Sequence, residues 1–204
     1  MTNKPPKHAV TQHPILDSIA ERWSPYLYRP IPVERAKLLS CLEAARWSAS
    51  SYNDQPWSFL LAERENASEW ARMLSCLIEF NQAWAKNAGV LLIAVAAKNF
   101  THNGQPNAVA EYDVGQAAAN LAIQATALGL AVHQMAGIDR EKIRQTYQVP
   151  ATHAPLTAIA IGYAADPRSA TTDPLRERDM APRSRKSIAQ FVFSGQWNRS
   201  ADEA

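Results

Sequence analysis

Three short segments, far apart in the chain, carry side chains suited to gripping a charged, planar ligand. The first is Arg22-Trp23-Ser24-Pro25-Tyr26, where a guanidinium and a hydroxyl stand two residues apart. A fork of N–H donors with a hydroxyl beside it matches the oxygens of a phosphate. An arginine closing a helix on its dipole, followed by a Ser-Pro turn, has the same residues. The second is Ser50-Ser51-Tyr52-Asn53-Asp54-Gln55-Pro56-Trp57, a loop of hydroxyl and amide groups that runs into an apolar stretch. Such groups can hydrogen-bond the edge of a heteroaromatic ring, and they are also ordinary turn formers. In the third, Asp179-Met180-Ala181-Pro182-Arg183-Ser184-Arg185-Lys186, two arginines flank a serine. Alternate residues of an extended segment share a face, so both guanidinium groups can close on one dianion; a solvated basic run has the same composition.

Other chemistries find little support. There is no GxSxG, HExxH, Walker lysine loop or GxGxxG, and the seven glycines are dispersed. Cys41 and Cys76 lack a CxxC spacing or a nearby histidine cluster and read as buried thiols of a reducing compartment, with no metal site. His102 and His133 stand alone and receive no proton-transfer role. A formal net charge of +2, with Lys and Arg concentrated only in residues 176–186, gives no basic stripe for nucleic acid. The longest apolar run, residues 89–97, is too short for a bilayer, and residues 1–13 are polar and Pro-containing, unlike a secretory signal. The expectation is a cytoplasmic globular protein without membrane attachment.

A chain of 204 residues supports one sizeable core. Apolar spacing predicts helices over residues 15–23, 32–47 and 67–78, and a long Ala-rich helix over 108–130 that stops at Gly129. Asp139 is placed to cap another helix running to Tyr147. Strands are expected at 57–62, 89–97, 131–135 and 155–163, the second of them central because it is aliphatic throughout. Helices interleaved with strands point to an α+β domain with helices over a mixed sheet. The domain is assigned to residues 15–197, between a flexible segment 1–14 and a tail 198–204. Phe191, Phe193 and Trp197 near the end need something to pack on, and a partner subunit would cover them.

Read in order, residues 44–59 (AARWSASSYNDQPWSF), 111–139 (EYDVGQAAANLAIQATALGLAVHQMAGID) and 182–193 (PRSRKSIAQFVF) resemble the nitroreductase-like family of FMN-dependent oxidoreductases, colinearly over most of the chain. The resemblance implies a three-layer α/β/α fold and a homodimer with two tightly bound FMN molecules at the interface, each site built from both chains. Arg22 and Ser24 fall where the family holds the FMN phosphate, with Arg183 and Arg185 as the second phosphate-binding pair. Ser50, Ser51, Tyr52 and Asn53, with Gln55 as a neighbour, fall where the second subunit touches the flavin. Asn81 matches an amide on the pyrimidine side of the ring. Gln134, Met135, Ala136 and Gly137 match the turn covering one face of it, where a backbone N–H of Ala136 or Gly137 reaches N5. Trp23 and Trp84 lie within matching segments, Trp84 close to the ring.

Tyr26 stands where many relatives carry Arg or Lys, and Trp84 where some carry Lys, which implies a less favoured reduced flavin unless another cation serves. Only residues 98–107 separate the central strand from the long helix, so any lid is short. The implied activity is ping-pong electron transfer from NAD(P)H to a small organic acceptor, such as a nitroaromatic or a quinone, without a protein acid or base. The competing expectations are a flavin-binding protein without turnover and a specialised flavin reaction, reductive dehalogenation or flavin fragmentation.

Overall fold

The computed structural model describes residues 7–168 and 174–201. The aliphatic run becomes β2 (Val90–Ala97), buried along almost its whole length. β1 (Trp57–Glu63) pairs with one edge of it and β4 (His153–Gly162) with the other, and β3 (Ala131–Met135) lies outside β4, giving the order β1-β2-β4-β3. Alternate residues of β2 serve two cores, as the period of a strand demands. Val90, Leu92, Ala94 and Ala96 pack with α2 (Arg35–Arg46) and α5 (Ala110–Ala127); Leu91, Ile93 and Val95 pack with α3 (Ala67–Leu74), α4 (Glu79–Ala85) and α6 (Arg140–Tyr147). The result is the expected α+β, three-layer architecture.

The sheet differs from the expected mixed one in that every pairing among the described residues is antiparallel. The cause is topological. α5 carries the chain from β2 to β3 so that these two strands run the same way, as a helical crossover should. β4 then enters between them and pairs antiparallel to both.

Element ends follow local chemistry. α5 turns an inner stripe of Ala110, Asp113, Val114, Ala117, Ala118, Leu121, Ala122 and Ala125 toward the core, its small side chains allowing α2 to approach closely. Its chain leaves through Gly129, whose φ of +75° suits a residue without Cβ. Asp139 caps α6 as expected, accepting the Lys142 N–H at 2.9 Å. Helix α2 begins at Arg35, past Pro32, and the first helix shrinks to α1 (Asp17–Glu21). The helix expected over residues 67–78 stops at Leu74, and α4 and α7 (Arg176–Met180) are additional short helices.

The two ends of the chain meet. Ala9 N–H donates to Ala20 O, and the buried Lys7 ammonium donates to Ala181 O, drawing the segment before α1 against the segment after α7. Residues 1–6 of the expected N-terminal segment and 202–204 of the expected tail lie outside the described residues.

Candidate functional site

α7 exists to deliver Asp179. Its carboxylate, 2% exposed, accepts the Tyr26 N–H at 3.0 and 3.1 Å and the Leu27 N–H at 2.9 Å. Burial pushes this carboxyl up, while the two N–H donors and the nearby Lys7 ammonium oppose that push. Residues 22–27 and the segment after α7 are thereby clamped side by side. Arg183 adds a staple: its Nη1 donates to Lys7 O at 2.6 Å and to Ala20 O at 2.7 Å, leaving the Nε and Nη2 hydrogens for another acceptor.

The consequence is a cleft of about 900 Å³ lined by Arg22, Arg183 and Arg185 together with apolar Ile15, Ile19, Ile188 and Phe191. Arg22 also donates to Ser24 Oγ at 3.3 Å. Burial lowers the Arg22 guanidinium and Arg185 lowers it further; Arg183 is lowered by burial, then by Arg22 and Arg185. None of the ion pairs among the described residues places a carboxylate on any of the three. Three mutually repelling cations in one cleft make a seat for a multiply charged anion.

At the far end of β3 a second feature forms. The strand alternation buries Met135 and exposes Gln134 and Ala136, and the chain turns at Gly137. Gly137 O accepts two bonds, from Ile78 N–H at 3.2 Å and from Asn81 Nδ2 at 3.0 Å. Asn81 Oδ1 in turn accepts the Trp84 indole N–H at 3.2 Å. Trp84 is 2% exposed and packs against His133, Tyr26 and Tyr28, so within one chain it is a core residue supporting the turn from beneath. A Cβ on Gly137 would come within 2.5 Å of Asn81 Nδ2 and 2.6 Å of Ile78 Cδ1. Gly137→Ala is therefore expected to displace Asn81 and to cost about 1–3 kcal/mol, the usual range for overpacking. Urea unfolding checks it; wild-type stability would show that the turn yields freely.

His133 lies against the same aromatic group and donates through Nδ1 to Pro25 O at 2.8 Å. Burial lowers its pKa, partly opposed by the Pro25 carbonyl and Asp179. The unfolded chain therefore takes up this proton first as pH falls below about 6.5, its ordinary value. Stability is fully present above that pH and declines as pH falls toward the native pKa. Thermal unfolding between pH 7.5 and 5 should show this acid limb, and His133→Gln should flatten it. An identical limb in the variant would assign the titration to other groups.

Tyr26 is not cationic, but a cation reaches it. Arg178 donates to the Tyr26 hydroxyl at 3.3 Å, and its guanidinium lies 5.5 Å from the Tyr26 ring centroid and 5.3 Å from that of Phe80. Trp23 is covered by the Lys7 ammonium, 5.3 Å from the ring.

The loop after α2 forms a short turn, Ser51–Asn53, and borders a different hollow of about 380 Å³ lined by Tyr52, Asn53, Asp54, Thr101 and His102. None of these residues lines the arginine cleft. Tyr52 is 80% exposed, touched by Phe100 and His102. Within a single chain the loop and the arginines thus line different hollows.

Four residues that sequence reading did not single out turn out to matter: Lys7, Asp113, Asp179 and Arg178. Asp113 carried a readable signal, because it falls on the apolar stripe of α5 where a carboxylate has no place in ordinary packing. The other three acquire their partners only through long-range folding.

A three-layer α+β domain with an anion-seeking arginine cleft and a tight turn at a strand end is suited to a planar, phosphate-bearing cofactor. The chain belongs to the nitroreductase family, whose model matches residues 19–163. A solved structure of an FMN-containing oxidoreductase is 33% identical, with a TM-score of 0.88 over 98% of this chain and 100% of that one. An uncharacterized 15.4 kDa protein of Mycolicibacterium smegmatis is 32% identical over 134 residues, covering 64% of this chain and 86% of its own. The major NAD(P)H-flavin oxidoreductase of Aliivibrio fischeri is 31% identical over 106 residues, which cover 50% of this chain and 44% of that protein.

Proposed function

We propose that this protein is an FMN-dependent oxidoreductase that takes electrons from NAD(P)H and passes them to a small organic acceptor, a nitroaromatic, a quinone or a related compound. The observation that carries the reading is the convergence of Arg22, Arg183 and Arg185 on one cleft without a carboxylate among them. A phosphate dianion is the partner such a cluster lacks, and Ser24 supplies a hydroxyl next to it. The turn of Gln134, Met135, Ala136 and Gly137, braced by Asn81 and Trp84, offers backbone N–H groups to the ring, with Tyr26 and Trp23 on the segment leading from the phosphate seat. Arg178, lying on Tyr26, supplies the positive charge that the residues at 26 and 84 do not.

When bound, FMN supplies reversible two-electron chemistry between nicotinamide and acceptor. The protein's own part is to hold the cofactor by its phosphate, fix the ring and keep water from it. Nicotinamide and acceptor use one place in turn, a ping-pong order.

The functional unit is a homodimer with residues 15–197 as its single domain. The loop Ser50, Ser51, Tyr52, Asn53 and Gln55 completes the site of a second copy. That the loop borders a different hollow from the arginines of its own chain supports this reading, as does the exposure of Phe191 and Trp197, which the tail would bury on a partner. No helix among the described residues is long and apolar enough to cross a membrane, and we place the enzyme in the cytoplasm.

Anaerobic addition of NADH or NADPH to FMN-loaded protein is expected to bleach the flavin absorbance, and a nitroaromatic or quinone to restore it. Absorbance that stays oxidised with both nicotinamides would identify a flavin-binding protein without turnover. Consumption of the flavin itself would identify flavin fragmentation.

A further inference from the structure

Between α2 and β1 the backbone adopts a conformation that side chains ordinarily avoid. Tyr52, Asn53 and Gln55 all lie at positive φ, +53°, +52° and +52°. Asparagine tolerates this region, but tyrosine and glutamine enter it only under constraint. Three such residues within four positions persist when the surroundings over-determine the loop, a pattern associated with functional sites.

The constraints can be named. Ser50 Oγ accepts the Gln55 N–H at 3.0 Å, Gln55 Nε2 donates to Asn53 O at 3.0 Å, and Asp54 Oδ1 accepts the Thr101 N–H at 2.8 Å. Besides Thr101, a second bond from outside the loop comes from α5: Asp113 Oδ2 accepts the Ser51 N–H at 3.0 Å, at the start of the left-handed run. Asp113 is 3% exposed, on the stripe otherwise made of Ala110, Val114 and Ala117. Among the described residues, its other oxygen receives a long contact from Gln116 Nε2, 3.4 Å, and no ion pair reaches it. The helix N-terminus offsets part of the cost of burying this charge. Apolar packing gains nothing from an anion here, whereas a fixed loop does.

We propose that Asp113 is a positioning residue: by gripping the Ser51 N–H it holds the 50–55 loop in the left-handed form that presents Ser50, Tyr52 and Asn53 to the cofactor of a neighbouring copy. This rests on the reading of the site given above.

The test uses the full-length protein. Asp113→Ala is expected to weaken FMN binding by about ten-fold or more, the scale of one hydrogen bond to a charged group. Asp113→Asn keeps an acceptor oxygen and should lose less. The discriminating pair is Gln55→Gly against Gln55→Ala in the Asp113→Ala background. Both remove the same side chain, but only glycine occupies positive φ without strain. The glycine variant should bind FMN several-fold more tightly than the alanine variant, and by a wider margin than when Asp113 is present. Equal affinities for the two, or an Asp113→Ala protein that binds like wild type, overturns the proposal. If wild type takes up no FMN, it is the reading of the site that fails. Hydrogen exchange of the Ser51 amide in the cofactor-free protein then still decides whether Asp113 holds the loop. Faster exchange in Asp113→Ala is expected, and unchanged exchange overturns the hold.

Discussion

Converting Arg22 and Arg185 together to glutamine is expected to weaken FMN binding by about a thousand-fold without harming the fold. A hydrogen bond to a charged group contributes about 1.5–3 kcal/mol, so two of them give roughly a hundred- to ten-thousand-fold. The cofactor-free variant should unfold at the same temperature as wild type or slightly higher, because Arg185 works against the charge of Arg22. Flavin fluorescence titration measures the first effect and thermal unfolding the second. A double variant that binds FMN like wild type would remove the phosphate from this cleft; one that unfolds early would mean the arginines are structural.

The second large effect is expected at Asp179. Asp179→Ala leaves the Tyr26 and Leu27 N–H groups without their acceptor and deprives the buried Lys7 ammonium of its nearby anion. Orphaned buried donors cost about 1–3 kcal/mol each, so a loss of about 3 kcal/mol or more in urea unfolding is expected. Asp179→Asn, which keeps an acceptor oxygen, should fall between. Because the same carboxylate clamps the two arms of the arginine cleft, FMN affinity should fall in step with stability. Wild-type stability in Asp179→Ala would show that neighbouring donors find other acceptors and that the clamp is dispensable.

The fold was legible where one residue pattern had one use. The aliphatic run of β2, the Ala-rich stripe of α5 closed by Gly129, and the Asp139 cap each specify a local structure without outside help. Strand direction was not legible, because it is set by the place of β4 between β2 and β3, and nothing in the periodicity of β4 records where it will dock. Short helices α4 and α7 escaped for a related reason: α4 is held by tertiary contacts such as the Asn81–Gly137 bond, α7 by Asp179, more than by propensity.

The same division runs through the site. Arg22, Arg183 and Arg185 could be proposed from type and spacing, and they do line one cleft. That Arg183 would spend one nitrogen on the Lys7 and Ala20 carbonyls, and that Lys7 would be buried over Trp23, depends on two chain ends meeting across more than 160 residues. Trp84 illustrates the reverse case. A tryptophan in a matching segment invites a role at a ring, whereas its burial against His133 and Tyr26 makes it the support of the turn at Gly137.

Recognition of the cofactor through its phosphate is open to direct measurement. Titrating cofactor-free protein with FMN and, separately, with riboflavin, which carries the same ring and no phosphate, isolates that contribution. FMN is expected to bind about a thousand-fold or more tightly than riboflavin, with the difference shrinking in high salt as exposed guanidinium groups are screened. Equal affinities for the two flavins would rule out phosphate recognition, because the three arginines would then hold nothing that matters.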